Sequence, residues 1–257
     1  MVKIDKLLTD DKAIFLALDQ GMEHGPKDFD KRNIDPDYVL QIAEKGKYNA
    51  IILQKGIAEK YYQDYKTKVP LILKLNGKTT MQKELYSPQI CSVKRAVKLG
   101  ASAIGYTIYF GSPYENKMIE TFSKIQEEAR DNGLTTIVWA YPRGPGINEM
   151  NTETLAYVAR VSMELGADII KMKYNYKFEQ YKWVIQSAGK SKIFIAGGEK
   201  ISLRNVLRET SEAMQVGASG IAIGRNIWQH EEPLKLTKAI KSIIFDGKDI
   251  DEAISYL

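Results

Sequence analysis

The sequence predicts an α/β protein built as a single (β/α)8 barrel over residues 1–257. Three observations lead there. Eight short apolar runs alternate with longer amphipathic stretches. Three of those stretches end in a similar phrase, KLGASAI, ELGADII and QVGASGI, each a helix end, a glycine and a strand start. No Pro- or Ser-rich linker divides the chain, and its length is usual for such a barrel. Short apolar runs bounded by turn residues mark strands buried on both faces, as in a parallel sheet. A recurring helix–glycine–strand junction is what a repeated βα unit produces. An open doubly wound sheet is the alternative, but no G-x-G-x-x-G follows the first run.

The elements follow in order. The first strand is AIFLALD (Ala13–Asp19). QGMEHGP comes next, and its two glycines and proline predict a loop rather than an immediate helix. A helix over Asp37–Gly46 carries Val39, Ile42 and Ala43 on one face. Strands AIIL (Ala50–Leu53) and LILKLN (Leu71–Asn76) follow. The helical stretch Ser87–Leu99 holds the single cysteine, Cys91, read as a small buried hydrophobe rather than a nucleophile. AIGYTIY (Ala103–Tyr109) leads into a long amphipathic helix, Glu115–Asn132, closed by Gly133. TIVWAY (Thr136–Tyr141) leads into Thr152–Leu165, with Leu155, Val158, Val161 and Met163 inward and Gly166 at the end. The last strands are DIIKMKY (Asp168–Tyr174), KIFIAGG (Lys192–Gly198) and GIAIGRN (Gly220–Asn226). Between the final two lies a helix over Ser202–Val216, with Ser202 as N-cap and Gly217 beyond its end. Glycine just past a helix is the usual C-cap. The tail, Asp249–Leu257, reads as a short extra helix that closes the barrel bottom or meets another subunit.

Composition narrows the function. Hydrophobic residues make up 44% and charged residues 27%, ordinary for a globular chain. The net charge of +5 is spread along the sequence without a clustered basic patch, so nucleic acid is not expected as a partner. A modest positive excess suits anionic substrates such as sugar phosphates. One cysteine permits no intramolecular disulfide and favours a reducing cytoplasm. The N-terminal MVKIDKLLTDDK lacks the long apolar region of a signal peptide, and no stretch approaches the ~20 apolar residues of a membrane span. Only His24 and His230 are present, too few for the multi-histidine zinc sets of metal-dependent enzymes, so neither metal nor cofactor is expected.

Active sites of these barrels lie at the C-terminal ends of the strands. The sixth strand is the most informative. Alternation places Ile169, Lys171 and Lys173 on one face and Ile170 and Met172 on the other. The apolar pair suits the helix layer, so the lysines face the interior. A desolvated ammonium loses its proton more readily, and the neutral amine is the form that attacks a carbonyl to give an iminium. Pairing with acids across the barrel is the structural alternative. The fifth strand ends Trp139–Ala140–Tyr141–Pro142–Arg143–Gly144, with Trp139 and Tyr141 on one face. Tyr141 is there either a proton carrier or an aromatic plug. Asp19 ends the first strand, where a carboxylate can bind a sugar hydroxyl or move a proton. Ala196–Gly197–Gly198 and Gly224–Arg225–Asn226 end the last two strands, the recurrent phosphate site of this fold. Glycines admit an anion close to backbone N–H groups, and Arg225 adds a bidentate donor.

DQGMEHGP, WAYPRG, ADIIKMKY, IAGG and IAIGR, in this order, resemble the archaeal-type class I fructose-1,6-bisphosphate aldolases over nearly the whole chain. The resemblance implies that Lys171 is the Schiff-base lysine, Tyr141 the acid/base tyrosine and Asp19 the active-site aspartate. It implies substrate contacts from Trp139 and His24, and phosphate contacts from Gly197, Gly198, Gly224 and Arg225. It further implies a phosphorylated sugar substrate, a cytoplasmic role in glycolysis and gluconeogenesis, and a homo-oligomer, often a decamer of pentamers. Two positions depart from the family pattern: Gln20 stands where histidine is frequent, and Ala196 where the phosphate loop often begins with serine. A sister group resembling 2-amino-3,7-dideoxy-heptulosonate synthases shares the lysine, tyrosine and aspartate. That group generally lacks the EHG stretch and the tryptophan two places before the tyrosine, both of which are present here.

Overall fold

Gly100, Gly166 and Gly217, the glycines of the three recurring junctions, all have positive φ, at 76°, 85° and 98°. Each lets the chain leave a helix end and turn at once into the next strand, a conformation that L side chains rarely adopt. The unit so repeated is a strand, a turn and a helix. In the computed structural model, which describes residues 4–257, eight such units close on themselves.

The strands are β1 (Ala13–Leu18), β2 (Ala50–Gln54), β3 (Leu71–Lys74), β4 (Ala103–Phe110), β5 (Thr135–Pro142), β6 (Ile169–Met172), β7 (Lys192–Ala196) and β8 (Gly220–Ile223). Each pairs in parallel with its sequence neighbours, and β1 pairs with β8, so the sheet is a closed barrel. All eight predicted strands are present, within one to three residues of their expected ends. The helices are α1 (Gly21–His24), α2 (Pro36–Lys45), α3 (Lys55–Tyr61), α4 (Val93–Lys98), α5 (Glu115–Asp131) and α6 (Thr152–Glu164). They continue with α7 (Phe178–Ser187), α8 (Leu203–Gln215), α9 (Arg225–Trp228), α10 (Pro233–Asp246) and α11 (Ile250–Ile254).

Two cores result from the alternation of side chains along the strands. Outward residues such as Ile170 and Met172 of β6 are fully buried beneath the helices. Inward residues form a second core inside the barrel, with Phe15 of β1 stacked on Phe194 of β7 at 4.5 Å between ring centroids. Leu7, in a 3-10 turn over Ile4–Leu7 that precedes β1, is fully buried in this inner core, with Ile4 and Leu8 packed against it. These residues close the N-terminal end of the barrel.

That closure corrects the expectation for the tail. The helix α11 is present, held by a capping box between Asp249 and Glu252. It lies in the outer layer against α10 and α8, not across the barrel floor. Three other expectations also shift. The stretch Ser87–Leu99 is helical only over Val93–Lys98, because Ser92 caps it by accepting from the Arg95 N–H. Cys91 is therefore in the preceding loop, where it is buried as expected. QGMEHGP is not an open loop: Gly21–His24 forms one α-helical turn and Gly25–Asp28 a 3-10 turn. In α6, Leu155 and Val158 are buried as predicted, but Val161 and Met163 are only half-buried and Ser162 takes the inner position. The first three residues of the MVKIDKLLTDDK segment lie outside the described residues. No helix among the described residues is long and apolar enough to cross a membrane.

Candidate active site

With the N-terminal end closed among the described residues, the barrel interior opens at the C-terminal ends of the strands. A cavity of about 490 Å³ occupies that end. This is within the range of small-ligand sites. Asp19, His24, Trp139, Tyr141, Lys171, Gly197, Gly198, Gly224 and Arg225, all singled out from the sequence, line it together.

Lys171 is in the inward row of β6, beside Trp139 of β5 in the sheet register. It is only 6% exposed. Its Nζ lies 5.0 Å from the centroid of the Trp139 ring. Among the described residues it makes no hydrogen bond and no ion pair. Burial lowers its pKa to about 8, against the pull of Asp19 and with added repulsion from Lys74. Roughly a tenth is therefore the free amine at pH 7, far more than for an ordinary lysine, and this is the nucleophilic form.

Lys173 shares the inward direction but lies beyond the end of β6. Its Nζ donates to Glu149 Oε2 at 2.6 Å, and Arg143 Nε is 3.2 Å from the other oxygen of that carboxylate. Both lysines were expected inside. The structure separates them into a deep unpaired amine and a paired ammonium at the cavity mouth.

Asp19 follows directly on β1 and receives a hydrogen bond from Lys74 Nζ at 3.4 Å, the two side chains only 10% and 8% exposed. Burial pushes its carboxyl up, but the Lys171 and Lys74 ammonium groups outweigh that, so it stays below the usual carboxylate range and is ionised. Lys74 was not singled out from the sequence. The signal was there: LILKLN alternates as DIIKMKY does, and Ile72 is in the inner core, so Lys74 two residues on points inward as well.

Tyr141 continues the inward row of β5 above Trp139 and is held well above the ordinary phenol range, first by burial and then by the Asp19 carboxylate. It is therefore a protonated phenol. Among the described residues its hydroxyl has no hydrogen-bond partner, which leaves it available to a bound molecule. The Trp139 Nε1 and Gln20 Nε2 atoms are buried donors without a partner among the described residues. Glu23, missed apart from its place in EHG, accepts from the Tyr109 hydroxyl at 3.3 Å and also lines the cavity.

The opposite wall holds the glycine ends of β7 and β8. The Gly197 N–H donates to the Ala222 carbonyl at 2.9 Å, so it is committed to the sheet. Gly198 has open space around it, as a ligand-facing backbone requires. Gly224 lies so close to β1 that a Cβ there would come 2.5 Å from the Ala17 carbonyl oxygen. Arg225 does face the cavity, but one of its nitrogens lies 3.4 Å from Asp28 Oδ2, with both side chains 15% exposed. Asp28 thus fixes the guanidinium while leaving its other N–H groups to an anion.

No group of three or more potential ligands is placed to hold a metal ion among the described residues. His24 lines the cavity, whereas His230 is turned to the backbone, its Nδ1 accepting from the Glu232 N–H at 3.0 Å.

Comparison with known proteins places this geometry. Residues 13–230 match the model of the DeoC/LacD family aldolases. The chain is 43% identical over 249 residues to a class 1 fructose-bisphosphate aldolase of Thermoproteus tenax, covering 95% of this chain and 94% of that protein. The crystal structure of an archaeal fructose 1,6-bisphosphate aldolase superposes with a TM-score of 0.90 at 43% identity, covering 94% of this chain and 97% of the other. An archaeal aldolase with its catalytic lysine covalently bound to the carbinolamine intermediate of the substrate superposes with a TM-score of 0.88 at 42% identity, covering 93% and 96%.

Proposed function

The chain belongs to the DeoC/LacD aldolase family, and from that premise we propose that it cleaves fructose 1,6-bisphosphate reversibly to dihydroxyacetone phosphate and glyceraldehyde 3-phosphate through an iminium on Lys171. The observation that carries this reading is the state of Lys171: buried, unpaired among the described residues, and with its pKa lowered to about 8.

The residues divide the work as follows. The Lys171 amine adds to the ketose carbonyl, and the carbinolamine loses water with Asp19 assisting. The iminium then withdraws the electron pair of the breaking C3–C4 bond. Tyr141, a protonated phenol in the free site, takes up the C4 hydroxyl proton in that step as its own proton passes to the ionised Asp19 carboxylate in the same cavity, and afterwards returns a proton to the enamine carbon. Trp139 offers its flat face beside Lys171 and an unpaired N–H. Gly198, Gly224 and Arg225 hold one phosphate, and His24 lies toward the other end of the substrate. No step calls for a metal. The role fits glycolysis or gluconeogenesis in the cytoplasm, and a homo-oligomer is the assembly we expect.

Borohydride trapping with dihydroxyacetone phosphate, read by peptide mass spectrometry, tests the reading. A reduced adduct on Lys171, lost in Lys171→Met and retained in Lys173→Met, is the expected result. The reverse pattern would move the assignment one inward position along the chain. Absence of any adduct alongside isomerase turnover would point instead to a non-covalent sugar-phosphate barrel.

A further inference from the structure

The inner mouth of the barrel holds two buried lysines and one buried carboxylate that can serve them. Lys74 and Lys171 approach the same indole, with their Nζ atoms 4.9 Å and 5.0 Å from the Trp139 ring centroid. Asp19 bonds only one of the two, Lys74, at 3.4 Å. We propose that Lys74 is a positioning residue: by bonding Asp19 and setting a second positive charge in the same site it offsets the pull of Asp19 on Lys171 and keeps the Lys171 amine free to attack a carbonyl. The inference rests on the reading that Lys171 forms the iminium.

Charge counting supports it. With Lys74 and Asp19 forming an ion pair, this buried trio is neutral only when Lys171 is the free amine. Protonating Lys171 would leave the trio with a net positive charge in a desolvated site, beside a second ammonium and with the Glu23 carboxylate of the cavity wall to oppose it. Without Lys74, Asp19 would have Lys171 as its remaining ammonium neighbour in the trio and would stabilise the protonated form.

The other groups around Lys171 do not supply this repulsion. From the β1 side come Asp19, Glu23 and His24, and from β5 come Tyr141 and, beyond it, Arg143. The positive end of Arg143 is turned to Glu149, which also binds Lys173. The neighbouring strands β4, β7 and β8 present Thr107, Ala196 and Ala222 to the cavity, none of them ionisable. Among the described residues, Lys74 is thus the buried ammonium that bonds Asp19 and faces the same indole as the amine.

The test is the pH dependence of reductive trapping on Lys171, with dihydroxyacetone phosphate as the probe and the adduct quantified by peptide mass spectrometry. In the unaltered protein, trapping should rise with pH through about 8. Lys74→Met and Lys74→Gln should each move that midpoint upward by about one pH unit, as loss of a nearby like charge does. Trapping at neutral pH should then fall roughly tenfold, in proportion to the free amine. Lys74→Gln keeps a donor to Asp19 without the charge and decides the matter if Lys74→Met does not fold. Lys74→Arg, which keeps the charge, should hold the midpoint near that of the unaltered protein. An unmoved midpoint in Lys74→Gln, or a Lys74→Arg midpoint displaced as far as that of Lys74→Gln, overturns the proposal. Failure to trap Lys171 in the unaltered protein would overturn the assignment beneath it instead, so the two failures are distinguishable.

Discussion

Trp139 fills the space that a side chain at Gly105 would need: a Cβ built there falls 1.9 Å from the indole Cζ3. The missing side chain on β4 is what lets the indole of β5 lie where both buried lysines face it. A residue of no chemistry of its own therefore sets the platform of the site.

Gly105→Ala should displace that indole. Overpacking of a tight interior typically costs about 1–3 kcal/mol. The urea midpoint should fall accordingly, and turnover should drop by more than the loss of folded protein explains. A variant with unchanged midpoint and turnover would mean that the ring moves freely, contrary to the packing described.

Lys171→Met should stabilise the protein at neutral pH even as it abolishes catalysis. The lysine titrates near 10.5 when unfolded and near 8 when folded. Below about 8 the native state carries a buried charge at full cost. Between 8 and 10.5 the unfolded chain binds the extra proton, so stability of the unaltered protein rises with pH across that window. The variant should accordingly be more stable at pH 7, by at most roughly 3 kcal/mol, with the gap closing as pH climbs from 8 to 10.5. Thermal unfolding of both proteins across this range checks the sign.

Tyr141→Phe should separate binding from proton transfer. The amine is untouched, so the iminium on Lys171 should still be trapped, while cleavage turnover falls about 10²–10⁴-fold. Retention of most turnover would assign the proton transfers elsewhere, with Asp19 and Glu23, which line the same cavity, as the candidates.

Arg225→Ala removes the proposed phosphate donor and leaves Asp28 without its partner. A charge-assisted hydrogen bond is worth about 1.5–3 kcal/mol, so KM for the bisphosphate should rise roughly 10- to 100-fold, with a smaller change in kcat. Inorganic phosphate should become a correspondingly weaker competitive inhibitor. A change confined to kcat would contradict a binding role.

Chelation is expected to have no effect. His24 and His230 belong to different surroundings, one in the cavity and one bonded to the backbone beyond α9. Activity should be unchanged after dialysis against EDTA. Its loss, with recovery on adding zinc, would sink the Schiff-base mechanism.

Much of this was readable from alternation alone. Every strand was found, and within DIIKMKY the direction of Lys171 followed from two apolar neighbours. The same rule applied to LILKLN points to Lys74 without any further knowledge. What alternation could not give were the pairings that decide how free each cation is. Lys173 meets Glu149 from 24 residues away and Arg225 meets Asp28 from 197. Such partners share no periodicity or local motif, and only the closed barrel brings them together. The helical turn after Asp19 escaped for a related reason: its glycines and proline argue locally for a loop, while α1 is bonded back to Gln20 through the Glu23 and His24 N–H groups.

The turn that carries Leu7 has a consequence for traffic. With Leu7 seated under Phe15 and Phe194, the well has, among the described residues, a floor at one end and its opening at the other. Whatever reaches Lys171 must leave the way it came, past Lys173 and Glu149 at the rim. In the cleavage direction the aldehyde fragment departs first, while the other fragment is still tethered to the floor-side amine. In the synthetic direction the queue reverses, and the ketone must be seated before the aldehyde arrives. Ordered exchange through a blind well needs no moving gate: covalent attachment at the bottom and the exit at the top impose it.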